Sequence, residues 1–506
     1  MSIHKPISVG LVFIAGLLAV VTPAAAQPKP LVVLNRAELK DAVLYDAWVE
    51  FKDKGNPSQR EQRRIWAALE KEFDPRALAR RKANRGGDGL FDERDLPLVE
   101  KYLKGVEAAG AKVQIRSRWL NGITVIADKG VIEKVEKLSY VKEVADFHLR
   151  KPRAKASDQK EPPRKAPAQK AAPAGTKPAE PAIPPTIYGV ADSQIRLLNL
   201  GPLHEAGFTG HGVRIAVVDC GFQLTSEAFH HPEHPLKVLA QKDFVENDGD
   251  VNPRPDIEAG NYTHGTLVLG SIAAYLPGVV AGSAYDADII LANAEDGDEE
   301  YYLEERWFVA ALEWAEARGA DIVTSSLVLY DGYKYGQTDG KTSVQTQGMN
   351  IATDNGVICF AGAGNNGNDA DPAKGSMMPP GDSAGAIAVG AAGGDGKITR
   401  FSSDGPSADG RLKPEVLSQG ARVGTVSITD PKGFSFASGT SLATPVLAGA
   451  AACLLQTHPK WTMKVFKKAL FESGDYWRRE GKTDPLFVHG YGIPDVYLAA
   501  GLKEKR

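Results

Sequence analysis

Cysteine is scarce in this chain of 506 residues, which holds only Cys220, Cys359 and Cys453. An exported domain stapled by disulfides carries more. Three buried thiols acting as small hydrophobes are the expectation, with one bridge at most. Net charge is scarce too. The 60 Lys and Arg and 63 Asp and Glu leave −3, so nothing points to nucleic acid or another polyanion as partner. Beyond residue 26 no apolar run approaches the about 20 residues that span a bilayer, and no membrane anchor is expected. A hydrophobic content of 43% with 24% charged residues is ordinary for a globular protein, and the length allows two or three domains.

The N-terminus has a plan of its own. Lys5 supplies a positive start, Val9 to Val21 is a short apolar stretch, and Ala24-Ala25-Ala26 is a small-residue cleavage site before Gln27. Residues 1–26 therefore read as a cleavable signal peptide, and the product as secreted or periplasmic. No Cys follows the cut, which argues against lipid attachment.

Residues 150–186 form the clearest boundary. They hold nine prolines, nine Lys or Arg, three acids and no aromatic residue. Such a composition buries no core and reads as an extended, protease-sensitive linker. Before it, residues 27–149 approximate the order β-α-β-β-α-β. Strand patterns at 47–51, 112–120, 123–127 and 141–147 and helical spacing at 96–109 and 130–140 predict a small α+β, ferredoxin-like domain. The Arg- and Lys-rich stretch 52–90 fits no element clearly. After the linker, residues 187–506 alternate apolar strand-like runs (RIAVVD, ADIILANA, ADIVTSSL, GVICFAG, AIAVGAA) with helical ones. That alternation predicts a three-layer α/β domain with a parallel sheet. In such sheets, sites lie beyond the carboxyl ends of the strands.

Three residues at such places carry chemistry. Asp219 ends RIAVVD, His264 opens a helix in THGTLVLGSIAA, and Ser441 enters an Ala-rich, wholly apolar helix in GTSLATPVLAGAAACLL. Each alone has a bland reading as a turn or cap residue. Together they are what a hydroxyl nucleophile needs: a base for its proton and a carboxylate to orient that base.

With these blocks the region from about 188 to 500 resembles the subtilisin-like serine proteases, and the order Asp, His, Ser is that family's. DAWVEFKDKG, RWLNGITV and YGIPDVYLA are similar to a bacterial secreted branch whose precursors carry an N-terminal inhibitory propeptide. The resemblance implies a serine endopeptidase acting on proteins or peptides, with catalytic Asp219, His264 and Ser441 and its own propeptide as intramolecular inhibitor. No cofactor is required for the chemistry. The family allows structural calcium, but no ligand set here can be assigned.

The resemblance also addresses GAGNNGN. Gly362, Gly364 and Gly367 spell G-x-G-x-x-G after a strand-like run. A dinucleotide site would need a helix to open there, and NDADPAKGSMMPPGD has no helical period. The family instead places an oxyanion donor in this turn, which falls on Asn365. Gly362 and Gly364 then line the substrate cleft, together with Ser326 and Leu327 of VTSSLVLYDG. Two residues depart from the family pattern: Val328 stands where Gly is usual, and Cys220 where Thr or Ser follows the Asp. Pro380 matches a position with a cis peptide bond.

Two decoys remain. Gly381-Asp-Ser-Ala-Gly385 fits G-x-S-x-G, but MPP precedes it and a strand-like run follows. A nucleophile elbow needs a strand and then a helix, so Ser383 is not expected to act. His230, His231, His234 and Glu233 lie in a Pro-broken loop without a metal-site spacing, and no metal ligand is assigned.

Overall fold

The computed structural model describes residues 34, 36–41, 43–150, 186–252, 263–297, 301–329 and 332–502. The signal peptide and nearly all of the linker lie outside the described residues.

The first domain is built from β1 (Leu44–Phe51), α1 (Gln59–Glu72), α2 (Pro75–Arg85), α3 (Glu100–Ala108), β2 (Lys112–Ser117), β3 (Gly122–Asp128), α4 (Lys129–Glu136) and β4 (Val141–Leu149). Its sheet has the order β2-β3-β1-β4 and is antiparallel throughout. This is the expected β-α-β-β-α-β core, with α1 and α2 added from the stretch that fitted nothing. Ser58 and Glu61 form a capping box on α1, and Asp74 with Pro75 starts α2. These are ordinary helix-start signals. The run of Arg and Lys hides them, because it leaves no apolar period to read.

The second domain is wound around seven parallel strands: β5 (Arg214–Asp219), β6 (Lys237–Asp243), β7 (Asp288–Asn293), β8 (Ile322–Ser325), β9 (Ile358–Gly362), β10 (Ile387–Ala392) and β11 (Val416–Gln419). Their order is β11-β10-β9-β8-β5-β7-β6, and every pairing is parallel. The helices are α5 (Thr263–Ala273), α6 (Leu303–Ala317), α7 (Val344–Asp354) and α8 (Thr440–Thr457), with shorter ones near both ends of the domain. α5 and α8 cover one face of the sheet, α6 and α7 the other. Alternation along β5 feeds both layers. Ile215 and Val217 join the α8 side, and Ala216 and Val218 the α6 side, as a two-residue strand period requires.

The strands β6 and β11 escape sequence reading for physical reasons. β6 is an edge strand whose KVLAQKD is half polar and only partly buried. β11 is four residues long and includes Ser418 and Gln419. The helix opened near His264 is short: α5 stops at Ala273, and Tyr275-Leu276 pairs with Val280-Ala281 in a hairpin. All three cysteines are buried, and burial pushes the Cys359 thiol up to about 12.

The two domains share a core. Trp48, Ile115 and Trp119 of the first pack in one cluster with Trp307, Phe308 and Ala311 of α6. Polar contacts surround this patch. Glu313 of α6 accepts from Ser117 Oγ, Trp119 N–H and Arg118 Nε, and Arg306 pairs with Asp146 at 2.9 Å. At β4's end, Arg150 bridges Asp46 and Glu246.

Candidate active site

Asp219 is the last residue of β5 and is wholly buried. Its Oδ1 accepts from Cys220 N–H at 2.9 Å and faces His264 Nδ1 at 2.8 Å. His264 is the second residue of α5, and its side chain is 32% exposed. One ring nitrogen is thus held by the buried carboxylate while the ring stays open to solvent. The close approach of α5 to β5 depends on Gly265. A Cβ there would lie 2.3 Å from the Gly221 carbonyl and 3.0 Å from Asp219 Oδ1. Sequence reading missed that requirement.

Ser441 is the second residue of α8 and is not its cap. Gly439, at φ 153°, takes the N-cap position, and Thr440 is the first helical residue. α8 carries Pro445 inside it. Proline has no N–H, so the carbonyl four residues earlier, that of Ser441, loses its helical donor. Ser326 Oγ supplies one at 2.7 Å. The hydroxyl of Ser326 therefore ties the end of β8 to the residue proposed below as nucleophile.

Asn365 follows β9 and is exposed. Its Oδ1 accepts from Thr440 N–H at 2.9 Å and Thr440 Oγ1 at 3.1 Å. With the amide oxygen occupied on α8, the NH₂ group is the end left to donate. Asn366 is used differently: its N–H donates to Ser403 Oγ and its side-chain amide to the Ser376 carbonyl. Thr440 also receives the Gly364 N–H on its hydroxyl. It is a hub that sequence reading passed over, although it stands beside Ser441 in GTS.

The glycines of GAGNNGN serve packing within the chain. A Cβ at Gly362 would meet Thr440 Oγ1 at 3.2 Å, and one at Gly364 would meet Ser403 Oγ at 2.9 Å. Gly362 lets the end of β9 lie against α8, and Gly364 lets the turn lie against Ser403 and Met378. Ser326 and Leu327 continue beyond β8, whose pairing stops at Ser325. Leu327 is buried among the α6-side core residues, so what it offers the cleft is backbone. Val328 beside it is half-buried. The Pro379–Pro380 bond is cis.

The decoys have internal uses. Ser383 is fully buried; its Oγ donates to Asn350 Oδ1 at 2.7 Å and accepts from the N–H groups of Gly385 and Ala386. His234 pairs with Asp286 at 2.7 Å, His230 bonds the Leu224 carbonyl, and His231 packs on Tyr275. Among the described residues, the one group of close metal-type donors is Asp219, Cys220 and His264, whose Asp and His are already bonded to each other.

Asp219, His264, Ser326, Asn365 and Ser441 thus gather at the carboxyl edge of the sheet, where a doubly wound fold places its sites. Comparison with known proteins identifies the family to which the two domains belong. Residues 210–492 match the model of the Subtilase family, and residues 46–164 that of the Peptidase S8 propeptide domain, Bacteroidota. Subtilisin from Bacillus pumilus is 30% identical over 319 residues, covering 62% of this chain and 98% of that protein. Subtilisin E from Bacillus subtilis (strain 168) is 27% identical over 399 residues, covering 78% of this chain and 84% of the relative. An alkaline protease from Alkalihalobacillus alcalophilus is 32% identical over 264 residues, covering 51% and 58%. The chain belongs to the subtilase family: it is a subtilisin-like serine endopeptidase that carries an N-terminal propeptide domain.

Proposed function

We propose that this endopeptidase works through Asp219, His264 and Ser441, with Asn365 and the Ser441 N–H binding the oxyanion. The observation that carries the reading is the 2.8 Å contact between the buried Asp219 carboxylate and His264 Nδ1. That contact places the ring proton on Nδ1, the tautomer in which Nε2 acts as the proton acceptor. Ser441 Oγ attacks the scissile carbonyl while Nε2 takes its proton. The same nitrogen then protonates the leaving amine, and water releases the acyl group by the reverse route. Negative charge on the tetrahedral intermediate is met by Asn365 Nδ2, aimed by the bonds that Thr440 makes to its Oδ1. Substrate lies extended along residues 326–328, adding a strand where β8's pairing ends, with Gly362 and Gly364 on the opposing wall. No cofactor enters the chemistry.

The same reading covers the precursor. Residues 1–26 direct export and are removed. Residues 27–149 inhibit the peptidase domain 187–506, and the linker 150–186 is cut by the enzyme itself. Peptide hydrolysis by two variants tests the assignment. Ser441→Ala should abolish turnover and Ser383→Ala should retain the nucleophile; the opposite pattern would transfer the chemistry to Ser383.

A further inference from the structure

α1 and α2 are additions to the propeptide core, and one side of α2 is lined with arginine. Arg76, Arg80, Arg81 and Arg85 all reach the peptidase domain. Arg80 donates to the Ala320 carbonyl at 2.6 Å, the Asn355 carbonyl at 3.3 Å and Glu316 Oε1 at 2.6 Å. Arg85 donates to Asn355 Oδ1 at 2.7 Å, and Arg76 pairs with Asp321 at 3.0 Å. Arg81 is fully buried and forks between Asp95 of its own domain and Glu316 of the other, each within 3.0 Å. Just beyond α2, Arg94 reaches Asp354 at 2.8 Å.

The acceptors share one place. Glu316 lies in the last turn of α6, Ala320 and Asp321 follow it, Asp354 ends α7, and Asn355 is its C-cap. Helix C-termini leave carbonyls unpaired and carry the negative end of the helix dipole. Two adjacent C-termini with three added carboxylates make a surface that suits guanidinium, whose planar fork satisfies several acceptors at once. In the parallel sheet this surface lies at the amino edge, where α6 and α7 feed β8 and β9. The candidate active site lies at the carboxyl edge, roughly 15–20 Å away by strand length.

We propose that the C-terminal ends of α6 and α7, with Glu316, Asp321 and Asp354, form an exosite on the peptidase domain that binds arginine-bearing helices, and that α2 is its ligand. The exosite holds the propeptide independently of any segment in the cleft. This deepens the proposed inhibitor reading and rests on it only for the consequence on activity.

The test uses the full chain carrying Ser441→Ala, cut in the linker by limited proteolysis so that the two parts are joined by their interface alone. The parent pair should stay together on dilution. Glu316→Gln with Asp321→Asn on the peptidase side should weaken it roughly 10²-fold or more, and so should Arg80→Gln with Arg85→Gln on the propeptide side. Arg80→Lys should not restore the pair, because an ammonium cannot serve the same set of acceptors. Variant pairs as tight as the parent, or full rescue by lysine, would overturn the exosite. Peptide hydrolysis by the Ser441-intact chain separates the two readings. Weaker association with hydrolysis never suppressed by the propeptide would sink the inhibitor and keep the exosite. Unchanged association with hydrolysis still suppressed would do the reverse.

Discussion

At the scale of single residues, the candidate site is held by contacts that the reacting groups do not make for themselves. Asn365 is aimed by Thr440, and the Ser441 carbonyl, orphaned by Pro445, is satisfied by Ser326. Asn365→Ala should therefore lower kcat by about 10²–10³ with little change in KM, the usual loss when one oxyanion donor is removed. Asn366→Ala should cost far less, since its amide is spent on Ser376; steady-state kinetics of both variants would detect a register error if Asn366 proved the more damaging. Ser326→Ala leaves a half-buried carbonyl without its donor and should cost about 1–3 kcal/mol, read from the unfolding midpoint, together with a fall in kcat. Ser326→Thr, which keeps the hydroxyl, should recover much of both. The candidate acid–base residues could be proposed from the sequence because their chemistry names them. Thr440, Ser326's hydroxyl bond and Gly265 were not, because each acts through a neighbour distant in the chain.

At the scale of elements, register and approach decide what the site can do. α5 can bring His264 to Asp219 only because Gly265 has no side chain. Gly265→Ala should push the helix off β5 and reduce kcat/KM, by about 10²-fold for a displacement near 1 Å, while KM moves less. The helix pair α1–α2 shows the opposite limit of sequence reading. Its arginines look like a solvated charge run until α6 and α7 are folded beside them, since their partners lie more than 200 residues away, as with Arg80 and Glu316. The parallel sheet, in contrast, was readable from continuous apolar strands, apart from the polar edge strand β6 and the short β11. The clamp has a pH dependence with a definite sign. Burial alone would raise the Glu316 carboxyl, but the bonds and charges of Arg81 and Arg80 outweigh it and hold it below the usual glutamate range. A lowered carboxylate contributes fully above its ordinary value of about 4.3 and loses that contribution as the pH falls below it. Thermal unfolding of the Ser441→Ala chain should therefore lose stability in acid more steeply than the same chain with Glu316→Gln.

At the scale of the whole molecule, the peptidase domain presents two different surfaces at opposite edges of its sheet. The carboxyl edge gathers the candidate catalytic groups, and the amino edge is gripped by the propeptide's arginines. A shared apolar cluster around Trp48, Ile115 and Trp119 joins them. Such an assembly packs the propeptide domain directly against the peptidase domain. If the cut is made by the enzyme itself, purified Ser441→Ala protein should accumulate at full precursor length while wild type yields a species starting within or just after residues 150–186; processing of the variant at the wild-type rate would remove autoprocessing from the account. The central claim is narrower, that Ser441 is the nucleophile. It is tested most directly by labelling the folded enzyme with a fluorophosphonate and locating the adduct by peptide mass spectrometry. A single adduct on Ser441, lost in His264→Ala, is the predicted result; an adduct on Ser383, or none on a folded and proteolytically active enzyme, would contradict it.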